Sequence, residues 1–151
     1  MALVTGHRVS PVTDRAPSAI TVEEFLEYQA SLEAFRPNVV LDEMAQDWAR
    51  AHIPVDGIPL RPGGYVPGPT MMAAVDYLGW ILVFTRVGIS PMSVTWDLKI
   101  NFLRPAIGGD VIIEGTQTKF GSYTHATYDL WIDGAPDKLV AHATTTYAVP
   151  K

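Results

Sequence analysis

A two-residue alternation of apolar and polar side chains marks the second half of the chain as β-sheet. From Val94 to Phe102 the two kinds of residue alternate without exception, as in a strand with one buried face. Three further strands are predicted at Val111–Phe120, Thr124–Ile132 and Leu139–Val149, separated by turns rich in glycine, serine, aspartate and proline. Because consecutive strands with short turns pair antiparallel, we predict one antiparallel sheet.

An apolar run in the middle of the chain predicts a buried helix. It follows a loop dense in glycine and proline, Gly57–Gly68, and Pro69 stands where the first helical turn accepts proline. The helix should end near Arg86, with Gly88 just beyond it. Apolar residues cover nearly all of its faces, so we expect the sheet to curl around it.

The N-terminal half is less regular. Thr21 and Glu24 form a capping-box pattern, which predicts a helix from Val22 to about Phe35 that stops before Pro37. The alternating segment Trp48–Ile53 predicts a strand, whereas Val39–Ala45 fits either a helical turn or part of a strand.

We therefore predict an α+β chain, with a flexible arm at residues 1–20 and a single domain at residues 21–151.

Composition removes several classes of function. The 151 residues are 48% hydrophobic and 18% charged, as in a globular domain. The absence of cysteine excludes disulfides, thiolate metal sites and a cysteine nucleophile, and the formal net charge of −5 argues against general nucleic-acid binding. The apolar helix is short for a bilayer and no signal peptide is seen, so we expect a cytoplasmic protein without a membrane partner.

One acidic residue, Asp76, interrupts the apolar helix. A carboxylate there loses hydration and has no basic neighbour in sequence, so we expect burial to raise its pKa. Acids and bases with shifted pKa values are common at active sites, which makes Asp76 the first candidate for a catalytic residue. The competing interpretation is a structural carboxylate bonded to a loop amide or to a neighbouring subunit.

Three motifs in order resemble the PaaI-like acyl-CoA thioesterases. They are the helix start Gly68–Asp76, the strand and turn Trp96–Pro105 with Gly109-Asp110, and the last strand Ala141–Tyr147. The resemblance covers roughly residues 48–150. It implies the hotdog fold, an antiparallel curved sheet wrapped around a long central helix, here with an extra N-terminal helix. It also implies homodimers or homotetramers with sites at subunit interfaces.

The resemblance implies roles for three residues. Asp76 matches the family's general base or nucleophile, Gly68 the donor of a main-chain N–H to the thioester carbonyl, and Thr95 a hydroxyl that orients water. Two positions depart from the family pattern. Pro67 stands where a histidine is usual, and Arg61 stands at about the place of an asparagine or glutamine.

Other residues are predicted to contact substrate from their positions near this motif. They are Arg61, Gly64, Pro67, Met72 and Lys119. The pliable methionine suits an acyl pocket, and the resemblance implies that Lys119 lies near the phosphates of coenzyme A. The four histidines show no metal-ligand spacing, and we expect no cofactor apart from coenzyme A in the substrate.

These observations predict a thioesterase acting on a small, medium or aryl acyl-CoA. The alternative is a hotdog protein that binds acyl-CoA or another apolar ligand without catalysis, because two polar helpers are replaced. A hydratase is a further alternative, since Asp47 and His52 are five residues apart as in hotdog hydratases. The Asn-Pro pair that normally separates them is absent, which argues against it.

Overall fold

A computed structural model describes residues 12–35 and 37–151, which contain one sheet and a pair of α-helices. The helices are α1 (Val22–Ala30) and α2 (Gly68–Val87). The strands are β1 (Val40–Ala45), β2 (Trp48–Ile53), β3 (Val94–Phe102), β4 (Val111–Lys119), β5 (Tyr123–Ile132) and β6 (Leu139–Ala148). All neighbours pair antiparallel in the order β1-β2-β4-β5-β6-β3. The predicted α+β hotdog fold is confirmed.

The core is built on α2, which contacts every strand from β2 to β6. The helix is long and apolar enough to cross a membrane by composition, but most of it is buried inside the fold. The surface that the sheet leaves uncovered packs against α1. There Phe25 is fully buried, with its ring centroid 6.1 Å from both Tyr77 and Phe84. The apolar surface of α2 is therefore buried on two sides, by the sheet and by α1, as its pattern predicts.

The described residues of the predicted arm are attached to this core. The Ala19 N–H donates to the Thr85 carbonyl at 2.8 Å, and the Gln46 N–H donates to the Ala16 carbonyl at 2.9 Å. The guanidinium of Arg15 lies 4.9 Å from the ring centroid of Trp48. Residues 1–11 of the predicted arm lie outside the described residues, and the division into arm and domain stays a prediction.

Two uncertain elements of the N-terminal half are resolved. The Val39–Ala45 segment is a strand, because β1 forms a hairpin with β2. The first helix is shorter than predicted and ends at Ala30. Its end is fixed by Ser31, whose Oγ donates to the Tyr28 carbonyl at 2.5 Å. The chain then turns, and the Phe35 ring packs 5.7 Å from the ring of Trp80.

The β1–β2 hairpin is fastened to the end of α2 through Asp47. This residue has a left-handed φ of 64°, a conformation that aspartate tolerates better than most residues. Its carboxylate accepts two hydrogen bonds from Arg86, at 2.7 and 2.6 Å, and one from the Gln117 amide at 3.0 Å. Its N–H donates to Thr85 Oγ1 at 3.0 Å. One residue thus joins the hairpin, the helix end and β4.

Strand β3 does not pair with the next strand in the chain, as the sequence pattern suggested, but with β6. The connection of residues 103–110 is not a hairpin turn. Eight residues reach up to roughly 26 Å, whereas three strand spacings measure about 14 Å, so the connection can cross to β4 on the far side of β5 and β6. The Leu103 N–H donates to the Val140 carbonyl at 2.9 Å as the chain leaves the edge. Strand β3 is therefore an edge strand.

The predicted burial of one face of β3 is only partial in the single chain. Leu98 and Ile100 are half-buried against the core, whereas Val94 and Trp96 are 55% and 68% exposed. A β-bulge between Thr95 and Asp97 breaks the alternation. Apolar side chains at a free edge favour pairing with another strand, so the sequence pattern is consistent with burial by a second chain.

A glycine in the interior of α2 is explained by close packing with two tyrosines. A Cβ at Gly79 would lie 2.6 Å from Cε2 of Tyr147 and 2.8 Å from the hydroxyl of Tyr128. Glycine costs about 1 kcal/mol relative to alanine within a helix. The close approach of β5 and β6 to the helix offsets that cost.

We expect Gly79→Ala to destabilise the protein although alanine is the better helix former. The clash with two buried rings should lower the free energy of unfolding by about 1–3 kcal/mol in urea denaturation. Gly57→Ala is the matched control, because a Cβ there meets nothing within 4 Å, and it should change stability by less than about 0.5 kcal/mol. Equal stabilities for the two variants would contradict the packing explanation.

Candidate active site

Asp76 lies half-buried on α2, at the wall of a cavity of about 450 Å³. Its Oδ1 accepts hydrogen bonds from two hydroxyl groups, those of Thr95 and Tyr147, the second at 2.9 Å. Among the described residues of the chain no cation forms an ion pair with this carboxylate. The carboxylate, which has no basic neighbour in the sequence, thus has two hydroxyl partners.

The bulge in β3 is what directs Thr95 at Asp76. The Phe102 ring also faces α2, since a Cβ at Gly68 would lie 3.1 Å from it. Thr95 and Phe102 are seven residues apart, so strict alternation would place them on opposite faces of the strand. The extra residue in the ladder, next to the register pair of Thr95 with Tyr147, brings both side chains to the helix face.

Tyr147 is the second hydroxyl partner of Asp76, and its side chain is buried in the core. Its hydroxyl lies within hydrogen-bonding distance of both Oδ1 and the main-chain carbonyl of Asp76, so its single proton is donated to one of them at a time. Burial raises the pKa of Tyr147 well above its ordinary value; the Thr95 hydroxyl lowers it in part, and the charge of Asp76 and its hydrogen bond raise it further. The phenol therefore remains a donor at neutral pH.

These contacts make the two oxygens of Asp76 unequal. Oδ1 accepts from Thr95 and Tyr147, whereas Oδ2 accepts from no group in residues 12–35 and 37–151. The free oxygen can accept a proton from water or attack an electrophile. Among the same residues no cluster of three or more His, Cys, Asp or Glu could hold a metal ion.

Gly68 begins α2 and lines a different cleft, of about 660 Å³. Its main-chain N–H has no acceptor among the described residues, and Pro67 supplies no side-chain cap. Unpaired N–H groups at a helix start stabilise negative charge. Arg61 and Arg104 line the same cleft, so its electrostatic character is positive.

One chain does not bring Gly68 and Asp76 to the same reacting group. Eight residues along a helix correspond to about 12 Å, and the two residues line separate cavities. A reacting carbonyl must lie about 3 Å from both the oxyanion donor and the attacking oxygen. Of the three predicted catalytic residues, the structure brings together Asp76 and Thr95 but leaves Gly68 apart.

The predicted substrate-binding residues are dispersed. Arg61 lines the Gly68 cleft, and its main-chain N–H donates to the Tyr65 carbonyl at 2.8 Å. Gly64, with a φ of +82°, lines a neighbouring small pocket. Pro67 is the N-cap residue of α2, Met72 is 42% exposed on that helix, and Lys119 is exposed at the end of β4. None of these five residues lines the Asp76 cavity, and their contact with substrate stays a prediction.

The residue pair that suggested a hydratase is separated in the fold. The carboxylate of Asp47 is bonded to Arg86 and Gln117, and His52 Nδ1 lies 2.8 Å from a carboxylate oxygen of Asp42. Both side chains thus have other partners, which agrees with a coincidental spacing.

Sequence reasoning did not single out Tyr147 as a partner of Asp76, nor Tyr28, Phe35 and Tyr77 as residues of its cavity. A signal for the first exists in the sequence, because an unexplained glycine inside a helix, Gly79, indicates the close approach of another side chain. The cavity combines residues from both helices, β3 and β6. No local pattern connects them.

Comparison with known proteins agrees with this fold. The model of the thioesterase superfamily matches residues 63–131, a little under half of the chain. A candidate esterase of Saccharolobus solfataricus is 37% identical over 83 residues, which is 55% of this chain and 58% of that protein. The chain thus spans less than two thirds of that relative's length.

Solved structures share the fold over most of the chain. A candidate thioesterase from Silicibacter superposes with a TM-score of 0.73 at 26% identity, covering 86% of this chain and 90% of the other. The PaaI protein of Escherichia coli gives a TM-score of 0.69 at 15% identity, covering 87% and 91%. A Streptococcus mutans protein bound to acetyl CoA gives 0.65 at 18% identity, covering 80% and 96%. The predicted resemblance to hotdog thioesterases is confirmed at the level of the superfamily.

The hydroxyl of Tyr147 should contribute more to the free energy of unfolding than the hydroxyl of Tyr128, another buried tyrosine. Tyr147→Phe removes a donor from a carboxylate, which costs about 1.5–3 kcal/mol of unfolding free energy. Tyr128→Phe is the matched control, since its hydroxyl pairs with a neutral group, Thr145 Oγ1 at 2.7 Å, and the substitution should cost about 0.5–1.5 kcal/mol. Urea denaturation of both variants measures the difference, and a smaller loss for Tyr147→Phe would argue against the carboxylate contact.

Proposed function

We propose that this chain, a hotdog protein matching the thioesterase superfamily, hydrolyses acyl-CoA thioesters with Asp76 as its catalytic carboxylate. The observation that carries the proposal is the half-buried Asp76, held by Thr95 and Tyr147 with one oxygen free at the wall of a cavity. The superfamily match and the candidate esterase relative support the reaction class. The bound acetyl CoA of the Streptococcus mutans protein supports a coenzyme A ester as the substrate.

The chemistry requires a nucleophile and a site for the oxyanion. In the general-base route, Oδ2 of Asp76 takes a proton from water while the water oxygen bonds to the thioester carbonyl carbon. The carbonyl electron pair moves to oxygen, where the Gly68 N–H stabilises it. The pair then returns and the C–S bond breaks, so that the thiolate leaves and receives the proton from Asp76. In the nucleophilic route Oδ2 itself attacks the carbonyl carbon, and the C–S bond breaks to release the thiolate. Water then hydrolyses the mixed anhydride, which regenerates the Asp76 carboxylate and supplies the proton that the thiolate takes up.

A second copy of the chain would supply the missing half of this site. Strand β3 is an edge strand with exposed apolar side chains, Val94 and Trp96 among them. Such an edge favours pairing with an identical strand around a two-fold axis. The proposed assembly is therefore a dimer joined along β3, with a tetramer left as a further step of association.

Antiparallel pairing of two β3 strands would also bring the correct residues together. Thr95, near the start of β3, contacts Asp76, whereas Phe102, at its end, lies beside Gly68. Antiparallel strands place the start of one beside the end of the other. The Asp76 cavity of one subunit would then adjoin the Gly68 cleft of its partner. Within one chain the two residues are about 12 Å apart along the helix, too far to act on the same carbonyl.

The Gly68 cleft is the better candidate for the charged part of coenzyme A. Exposed Arg61 and Arg104 line it, and one Arg104 nitrogen donates to the Leu139 carbonyl at 2.9 Å. Guanidinium groups bind phosphates through paired N–H donors. We retain Lys119 as a proposed phosphate contact from the partner side, and we propose that no metal or redox cofactor takes part.

A second function has one observation in its favour. The helix start lacks the polar helper at Pro67, where no side chain caps the first turn, and the loop carries Arg61 instead of an amide. A protein that binds acyl-CoA without hydrolysing it would tolerate both changes. The following experiment distinguishes a catalytic protein from one that only binds acyl-CoA.

Asp76→Asn should lower kcat on acyl-CoA substrates by about 100-fold or more, because the amide accepts no proton from water. The substitution retains the shape of the side chain, so KM should change little. Asp137→Asn, an exposed carboxylate in the β5–β6 turn, is the control and should keep full activity. Turnover that survives Asp76→Asn would remove the catalytic role, whereas thioester binding without turnover in the natural sequence would favour the binding protein.

An interface site predicts that two inactive variants restore each other. Gly68→Pro removes the main-chain N–H at a helix position that accepts proline, and Gly68→Ala keeps it as the control. Subunits of Gly68→Pro and Asp76→Asn, refolded together, should regain about a quarter of the natural activity, since half of the dimers then contain one intact site. Dimers in light scattering without any recovery, or an active monomer, would contradict an intersubunit site.

A further inference from the structure

The cavity at Asp76 has an outer wall that comes from the N-terminal segment. It is lined by α2, by the residues leading into β3, and by three side chains contributed by α1 and the turn after it, Tyr28, Leu32 and Phe35. These three lie outside residues 63–131, which the superfamily model matches. The wall therefore comes from the N-terminal part of the chain, outside the range that the superfamily model matches.

Aromatic rings dominate the wall beyond the carboxylate. Tyr77 and Trp80 of α2 line the cavity, and the Phe35 ring centroid lies 5.7 Å from each of them. The ring of Tyr28 is 6.1 Å from that of Trp80. Such rings attract other flat rings through edge-to-face contacts in addition to the burial of apolar area.

Phe35 does not serve as an ordinary core residue. It remains 51% exposed although it contacts two rings, whereas Phe25 on α1 is fully buried. An exposed phenylalanine at the rim of a cavity gains burial when a ligand fills that cavity. Tyr77 has a related property, because its buried hydroxyl has no hydrogen-bond partner in residues 12–35 and 37–151.

We propose that this cavity binds the acyl group of the substrate and that Phe35 determines which acyl groups are accepted. The inference rests on the proposed function, because the thioester carbonyl must lie at Asp76 with the acyl group on one side of it. The apolar wall suits the acyl group, whereas the arginine-lined Gly68 cleft suits the charged nucleotide. The ligand class is an apolar acyl group carrying a flat ring, in preference to a long unbranched chain.

Binding measured without turnover tests the pocket independently of catalysis. Titration calorimetry on Asp76→Asn would compare benzoyl-CoA, decanoyl-CoA and free CoA. Adding Phe35→Ala should weaken benzoyl-CoA binding about tenfold and leave free CoA unchanged, because the substitution removes contacts to the acyl group alone. In the active protein the same substitution should lower kcat/KM for benzoyl-CoA relative to decanoyl-CoA by about tenfold.

Leu26→Ala is the matched control, since Leu26 is 42% exposed on α1 and does not line the cavity. It should leave both affinities and the substrate ratio unchanged, and thermal unfolding would show that each variant is folded. Equal losses of benzoyl-CoA and free CoA binding on Phe35→Ala, or an unchanged ratio in an active enzyme, would overturn the proposal while leaving the thioesterase function intact. Binding of benzoyl-CoA that depends on Phe35, without hydrolysis by the natural sequence, would support the pocket and contradict the thioesterase function.

Discussion

Burial of a helix that is apolar on nearly every face is the constraint on which the rest of this structure depends. The sheet covers most of α2, and Phe25 and its neighbours on α1 cover much of the remainder. Each large side chain removed from water contributes about 1.5–3 kcal/mol, so α2 accounts for much of the folding free energy. Where the cover is incomplete, the cavity remains, and Asp76 faces it. The position of the carboxylate is thus a consequence of how the core is closed.

Hydroxyl groups surround the carboxylate where many proteins would place a cation. Neutral donors fix its orientation while leaving its charge available to a proton or an electrophile, which an arginine partner would neutralise. In the proposed mechanism the same principle applies to the oxyanion, for which the main-chain N–H of Gly68 at the helix start would replace a charged side chain. This contribution would come from the backbone and would not depend on the side chains at positions 61 and 67.

Local pattern predicted most of the fold, and its failures are non-local apart from the early end of α1 at Ala30. Both helices, the strands β2 to β6 and the turns that follow β4 and β5 agree with periodicity, caps and proline or glycine positions, which act over a few residues. The partner of β3, the bulge beside Thr95 and the contact of Tyr147 with Asp76 depend on residues far apart in sequence. Asp76 and Thr95 were predicted from a family motif and Tyr147 was not, because only the packing against Gly79 shows where its hydroxyl lies.

The fastening of Asp47 to Arg86 and Thr85 has a consequence for how such a protein tolerates variation. It anchors the C-terminal end of α2, where successive residues are fully buried, while the N-terminal half displays exposed positions such as Met72. The N-terminal half of the helix has fewer buried side chains, which favours lower local stability there. Substitutions at exposed Met72 should therefore cost little folding free energy, whereas those near Thr85 reduce the stability margin directly. The helix thus combines a buried C-terminal half, on which folding depends, with exposed positions that can vary at little cost to the architecture.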